Sequence, residues 1–304
     1  MSKDHQHATP NTHRTKLAIA FGITAVILVA EIIGALWTNS LALLVDAGHM
    51  LTDASGLLIA LLATTLALRP PNSKRTWGYR RAEVLAAGAQ AAVLLGVAIY
   101  AFVEGVQRLL SPPHVTASGL LVFGIIGLLG NLISMLVLHS GRGANLNMRA
   151  AFLEVVNDAL GSVAVIISAI VIALTGWTRI DALAGMLIAA LIVPRTITIL
   201  REAGSILLES TPPGLDLDDV RQHLLDVPHV QAVHDLHAST IATGLPVLTA
   251  HIVLDDSCFQ DGHAASMLSE LQDCVAAHFD ISVEHATFQL EPPAHAQREH
   301  TTHT

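Results

Sequence analysis

Charge is scarce in this sequence. Only 13% of its 304 residues are Asp, Glu, Lys or Arg, about half the share of an ordinary soluble domain. Aromatics are scarcer still, at 4%, which argues against a transmembrane barrel girdled by Trp and Tyr. The two cysteines, Cys258 and Cys274, have no CxxC spacing, so a disulfide framework or a thiolate zinc cluster is not expected. Basic residues are in deficit, giving a net charge of −9, and nucleic-acid binding normally needs a basic face. No HExxH and no GxxxxGK[ST] occurs, which removes the zincin helix and the nucleotide-binding loop. Leu, Ala, Ile and Val carry the apolar share to 52%, with a mean hydropathy of +0.55. The chain therefore reads as a membrane protein, and a helical one.

Apolar stretches fall near residues 17–37, 41–68, 82–110, 115–139, 148–174 and 180–200, each about long enough to cross a bilayer, which predicts six transmembrane helices. The first lacks a clear small-residue cleavage site and reads as a retained span rather than a signal peptide. Connections alternate in character. Those after Trp37, at 111–114 and at 175–181 are short and nearly uncharged, whereas the opposite set carries Arg69, Lys74, Arg75, Arg80, Arg81, Arg142 and Arg149. The positive-inside rule then puts both termini in the cytoplasm. The short loops and the absence of a targeting segment point to a bacterial plasma membrane.

After TPPG at 211–214 the texture changes. LDLDDVRQHLLDV predicts an amphipathic helix, VQAVHDLHASTIA and PVLTAHIVLDD two strands, GHAASMLSELQDCVAAHF a helix and ISVEHATFQLE a last strand. This is a small α+β domain resembling a ferredoxin-like sandwich with one strand missing. The expected organisation is a polar, His-bearing tail at 1–16, a transmembrane domain at 17–205, the α+β domain at 206–292 and a disordered tail at 293–304. The terminal histidines His5, His7, His13, His295, His300 and His303 offer weak metal collection or plain solvation.

The chemistry begins where charge interrupts the apolar runs. In LVDAGHMLTDASG, His49 and Asp53 stand four residues apart and share one helical face, with Asp46 one turn earlier. FLEVVNDALGS repeats the spacing with Glu154 and Asp158 in the fifth span. Ionisable groups in mid-membrane cost several kcal/mol unless paired, hydrated or bound to a metal, and they mark substrate paths. Counted from the membrane ends, the two pairs reach overlapping depths. Together they supply one imidazole and three carboxylates, enough for a tetrahedral divalent cation. Glu31 and Glu104 stand alone in their spans, open between a structural bond and an access-path role, and Asn131 reads as helix–helix glue. In the α+β domain His234 and His251 fall on neighbouring strands, with His263, His285 and Glu291 near in sequence, while His237 is on the opposite strand face from His234.

SLALLVDAGHMLTDASGLL, GYRRAEVLAA, NLNMRAAFLEVVNDALGSV, DALAGMLIAALI and AVHDLH…LTAHIVLDD…HATFQLE together resemble the cation diffusion facilitator family of metal-efflux proteins, from about residue 16 to 292. The resemblance implies six helices bearing a cytoplasmic metallochaperone-like domain, a homodimer in lipid, and exchange of zinc or a related divalent ion for protons. It implies a transport site at His49, Asp53, Glu154 and Asp158. It also implies regulatory metal binding, zinc included, at His234, His251 and Glu291, with His263 and His285 as further candidates. No cofactor is expected beyond the transported metal. The departure is Glu154, where zinc-type relatives usually carry His. One nitrogen and three oxygens make a harder set, which admits Mn²⁺, Fe²⁺, Co²⁺ or Cd²⁺ beside Zn²⁺. The loop PPNSKRTWGYRR offers no His or Asp, so no metal site is expected there. Deprotonated ligands bind the metal and protonated ones release it, so the same four residues can couple the two ions. Two other functions compete with transport: a non-transporting metal sensor or dimer partner, and an intramembrane metallohydrolase using Glu154 as base. The second lacks both HExxH and an open coordination position.

Overall fold

The computed structural model describes residues 10–67, 69–139, 146–242 and 244–296. His5, His7, His300 and His303 lie outside them. The described chain forms two compact units, one built from residues up to 59 and 89–200, the other from 60–88 and 201 onward.

The apolar runs fold as long helices, because a backbone in an apolar medium must satisfy its hydrogen bonds within the segment. They are α1 (Pro10–Thr38), α2 (Leu41–Ala67), α3 (Ala82–Leu110), α4 (Ala117–His139), α5 (Leu146–Thr175) and α6 (Arg179–Leu207). Helix α1 starts inside the stretch expected to be a polar tail. Among the described residues five helical segments are long and apolar enough to cross a membrane: Ile19–Thr38, Ala82–Leu110, Ala117–His139, Phe152–Thr175 and Arg179–Leu207. The other long helix, α2, carries Asp46, His49 and Asp53 in its first half.

In the first unit α4 packs against both α1 and α5. Leu41, Leu43, Val45, Ala98, Leu120, Val165 and Ile188 form a buried core between helices. Val26, Leu36, Leu136, Leu174 and Leu191 remain exposed, as expected of a lipid-facing belt. The ends of the helices are tied by polar bonds that a bilayer interior would otherwise leave unmade. Asp181, in the first turn of α6, accepts hydrogen bonds from the Ser40 hydroxyl and from the Leu41 N–H, the latter at 2.6 Å, and so caps α2 from another helix. Glu104 accepts from Arg108 at 2.8 Å, and Arg108 reaches the Asn39 carbonyl at 2.6 Å. Glu104 thus serves a structural ion pair.

The second unit contains α7 (Leu217–Leu225), β1 (Val230–Ala242), β2 (Leu245–Leu254), α8 (Ser257–Gln260), α9 (Ala264–Ala277), β3 (His285–Glu291) and α10 (Pro293–Ala296). The order of helices and strands is the one expected, with a short α8 added before α9. Pro293–Ala296 is helical where disorder was expected. Asp216 caps α7, accepting from the Asp218 N–H at 2.9 Å. The sheet order is β1-β2-β3. Strands β1 and β2 pair antiparallel, while β2 and β3 pair parallel, which requires the helical crossover through α9. One sheet face, with Val233, Leu248, Ala250, Ile252 and Phe288, closes on Val220 and Leu224 of α7 and Leu271 and Val275 of α9. Cys258 is a free thiol in this core, and Cys274 is a second buried free thiol. Burial pushes the Cys274 thiol above its usual range, and nearby Glu270 adds to the shift.

Candidate metal centres

Helices α2 and α5 bring the two i,i+4 pairs of the first unit together. His49 Nδ1 lies 3.4 Å from Asp53 Oδ2 on its own helix, and His49 Nε2 lies 3.9 Å from Asp158 Oδ1 across to α5. The imidazole therefore stands between the carboxylates of the two helices, where it is 7% exposed against 4% for Asp158. Glu154 sits beside the Asp53 carboxyl. Its Oε1 also lies 3.5 Å from Arg195 Nη1 of α6. All four expected residues share one neighbourhood, linked in a chain of contacts rather than drawn around a point. Three carboxylates and one imidazole suit a borderline or hard divalent cation, and a cation among them would offset their mutual repulsion. Arg195 follows Pro194 within α6 and was not singled out from sequence, where it reads as one more basic residue near a helix end. No local spacing could have paired it with Glu154, which is 41 positions away.

In the second unit the strand register builds the other cluster. His234 of β1 is the cross-strand partner of His251 in β2, which in turn pairs with Gln289 in β3. Glu291, two residues beyond Gln289, falls on the same face. His234 Nε2 lies 2.5 Å from Glu291 Oε1, His251 Nδ1 lies 3.9 Å from the same oxygen, and the two rings are 5.0 Å apart, edge to face. One ligand atom from each of the three residues lies within 4.8 Å of the others. Ligand atoms around a tetrahedral zinc ion sit about 3.3 Å apart, so small side-chain rotations suffice to close the set, and two imidazoles with one carboxylate fit zinc chemistry.

The register of β1 slips between His234 and His237, which pair with His251 and Thr249, so His237 falls on the same sheet face as His234 and not on the opposite face expected from a period of two. Asp235, between them, is in the left-handed region at φ 47°. That bulge, which Asp tolerates better than most residues, leaves Asp235 Oδ2 3.6 Å from His234 Nδ1. His295 of α10 brings Nε2 within 3.6 Å of Glu291 Oε2. Neither neighbour was placed at this cluster from sequence; the i,i+4 spacing of Glu291 and His295 across the end of β3 was the available signal. His263 and His285 are elsewhere. His263 stands at the start of α9, with its ring 5.9 Å from that of His229. His285 packs edge-on against Trp77 at 4.8 Å. The loop at 69–81, where no metal site was expected, makes a short bridge between Asn72 and Arg75.

Two family models cover almost the whole described chain. Residues 17–208 match the cation efflux transmembrane domain, and residues 212–293 match the cytoplasmic domain of cation efflux proteins. The chain belongs to the cation diffusion facilitator family. It is 43% identical to the metal cation efflux system protein CzcD of Cupriavidus metallidurans, over 96% of this chain and 90% of that protein. It is 37% identical to a cadmium, cobalt and zinc/H(+)-K(+) antiporter of Bacillus subtilis, over 96% of this chain and 93% of that one. It is 35% identical to the zinc transporter ZitB of Escherichia coli, over 97% of this chain and 94% of that one. As a member of this family it is an integral membrane transporter and not an enzyme. The family model also assigns the α+β unit to the cytoplasmic domain.

Proposed function

We propose that this protein exports divalent metal cations from the cytosol in exchange for protons, with His49, Asp53, Glu154 and Asp158 as the transport site. The observation that carries the reading is the meeting of His49 with Asp158 across α2 and α5. It joins two charged pairs that would each be costly alone in an apolar surrounding. Relatives are named for zinc, or for cadmium, cobalt and zinc, and the Glu154 carboxylate extends that range toward harder ions such as Mn²⁺ and Fe²⁺. Metal binds the deprotonated quartet. Protons arriving from the far side compete for the same oxygens and imidazole nitrogen, and they expel the ion.

In this reading α2 also crosses the membrane and brings the spans to six, and the basic connections place both termini and the α+β domain in the cytoplasm. The domain boundaries are those read from sequence, 17–205 and 206–292, the second a metallochaperone-like relative of the ferredoxin-like fold. The protein works as a homodimer in a bacterial plasma membrane. His234, His251 and Glu291 hold a regulatory zinc ion in the cytoplasmic domain, where a bound cation neutralises Glu291 and ties β1, β2 and β3 together. That reading is supported by the closeness of the three ligand atoms.

The test is reconstitution of the full chain into liposomes with an imposed pH gradient. Uptake of Zn²⁺, Cd²⁺, Co²⁺, Mn²⁺ and Fe²⁺ is followed with and without a protonophore. Gradient-dependent uptake of at least one metal is expected. Uptake of none, with the protein folded, leaves a non-transporting sensor as the better account.

A further inference from the structure

A second polar cluster lies one helical turn from the quartet, toward the end of the first unit that carries residues 38–41, 111–116 and 175–178. Asp46 precedes His49 by one turn on α2, and Ser162 follows Asp158 by one turn on α5. Glu31 of α1 lies beside the Asp46 carboxyl. Asn131 of α4 donates from Nδ2 to the Ser162 hydroxyl at 3.4 Å. Glu31 and Asp46 are each 1% exposed, and Asn131 is fully enclosed.

Two glycines let these groups meet. A Cβ added at Gly127, one turn before Asn131, would come 2.9 Å from Ser162 Oγ and 3.0 Å from Glu31 Oε1. One added at Gly161 would come 2.8 Å from Asp46 Oδ1. Bare backbone on α4 and α5 is what opens room for oxygens arriving from α1 and α2.

Polar groups that merely glue helices together pair with one another. Here Asn131 bonds Ser162 and the Glu31 and Asp46 carboxyls meet, yet Glu31 Oε2, Asp46 Oδ2, Asn131 Oδ1 and Ser134 Oγ are still buried without a hydrogen-bond partner. Leaving such atoms unsatisfied in an apolar interior costs on the order of 1–3 kcal/mol each. All four are oxygens, and each has lone pairs to offer.

We propose that Glu31, Asp46, Asn131 and Ser162 form a second, oxygen-only cation site that takes an alkali-metal ion. With no nitrogen or sulfur donor the set selects hard cations over zinc-like ones. Its enclosure disfavours Mg²⁺, which gives up water reluctantly and keeps several waters when bound. With only two carboxylates it is poor in charge for a dehydrated Ca²⁺, whose sites strengthen with ligand charge. The site deepens the antiport reading and rests on it for its role. An ion held one turn, about 5.4 Å of helix rise, from the quartet repels a divalent metal there, so a counter-cation and the exported metal exclude one another.

The experiment uses the full-length protein, purified in detergent, stripped of divalent metal with a chelator that is then removed, and kept at constant ionic strength with N-methyl-glucamine. Equilibrium binding of radioactive Rb⁺, competed with K⁺, Na⁺ and Ca²⁺, is measured for wild type, Glu31→Gln, Gly127→Ala and Gly161→Ala. Saturable binding of one Rb⁺ per chain is expected in the wild type, weaker by about tenfold or more in the three variants. Zinc binding at the quartet is expected to persist in Gly127→Ala, which shows that this variant folds. Absence of saturable Rb⁺ binding in wild type would mean that the cluster holds only protons, and the proposal fails. Unchanged binding in Gly127→Ala and Gly161→Ala, or displacement by Ca²⁺ far better than by K⁺, overturns it as well. The assay needs neither metal flux nor a gradient, so a wild type that binds Rb⁺ yet moves no metal sinks the transport reading and leaves the site standing.

Discussion

Arg195 Nη1 lies 3.5 Å from Glu154 Oε1, so one carboxylate of the candidate quartet has a fixed cation beside it. The arginine is more than half exposed, where an ion pair adds little to stability. Its effect falls instead on the site, since a positive charge next to one ligand opposes a divalent ion at all of them. Arg195→Gln is expected to tighten metal binding about threefold to tenfold while leaving the melting temperature nearly unchanged. Calorimetric titration with Co²⁺ or Zn²⁺ measures it. Weaker binding in the variant would show that Arg195 orients Glu154 for the metal rather than competing with it.

Asp53 and Asp158 come from different helices and face His49 from both sides. In the proposed site, replacing either by Ala removes a negative charge that its partner cannot supply. Metal flux is expected to fall to background in Asp53→Ala and in Asp158→Ala, with both proteins still folded. Rates near wild type in either would remove that residue from the transport site.

The proposed transport site makes Glu154 the ligand that would set the balance between hard and borderline ions. Glu154→His gives two imidazoles and two carboxylates, which favours Zn²⁺ over Mn²⁺ and Fe²⁺. The new imidazole next to Arg195 also brings a group that titrates from a reference near about 6.5 rather than about 4.3. Initial uptake rates for Zn²⁺, Co²⁺, Cd²⁺, Mn²⁺ and Fe²⁺, compared between the two proteins across pH, should show a narrowed metal range and a shifted pH profile. An unchanged ranking of metals would mean that position 154 does not govern selectivity.

The His234, His251 and Glu291 cluster lies in the cytoplasmic domain, outside the family's transmembrane domain. The His234→Ala, His251→Ala double variant is expected to change the metal concentration at which transport is half-maximal without abolishing it. Complete loss of flux from a stable double variant would place these residues on the transport path itself.

Asp255 offers a pH test in the same domain. Gln231 donates a hydrogen bond to its carboxylate, and His229 contacts the other oxygen at 3.1 Å. Together they hold Asp255 below its usual range, the Gln231 bond most of all. A depressed folded-state value means that the contribution to stability is present above the unfolded value near about 3.9 and is lost as pH falls through the folded one. Gln231→Ala should raise the Asp255 midpoint, read by side-chain carboxyl NMR across pH 2–6, roughly the range in which carboxylates titrate. A midpoint that stays put would assign the depression to His229.

The periodicities of this chain were legible because they are local. Apolar runs of bilayer length identified the long helices, and helical spacing put His49 with Asp53 and Glu154 with Asp158. Alternation of period two separated β1, β2 and β3 and set His234 and His251 on neighbouring strands. The number of mid-membrane charges, together with the motifs around them, was enough to read a metal-efflux protein. Which side chains meet across the fold is a different kind of fact. Arg195 and Glu154 are 41 positions apart, and His234 and Glu291 are 57 apart. Glu291 joins His234 and His251, while His285, six residues earlier, turns to Trp77, because the parallel register of β3 on β2 decides which of its residues reaches the histidine pair. Glu31, isolated in its own span, acquires neighbours only because glycines at 127 and 161 let α4 and α5 come close enough to admit oxygens from α1 and α2. Sequence periodicity determines which face of an element is polar. Close packing between elements decides what that face touches, because the distance between helices is set by the smallest side chains at the contact.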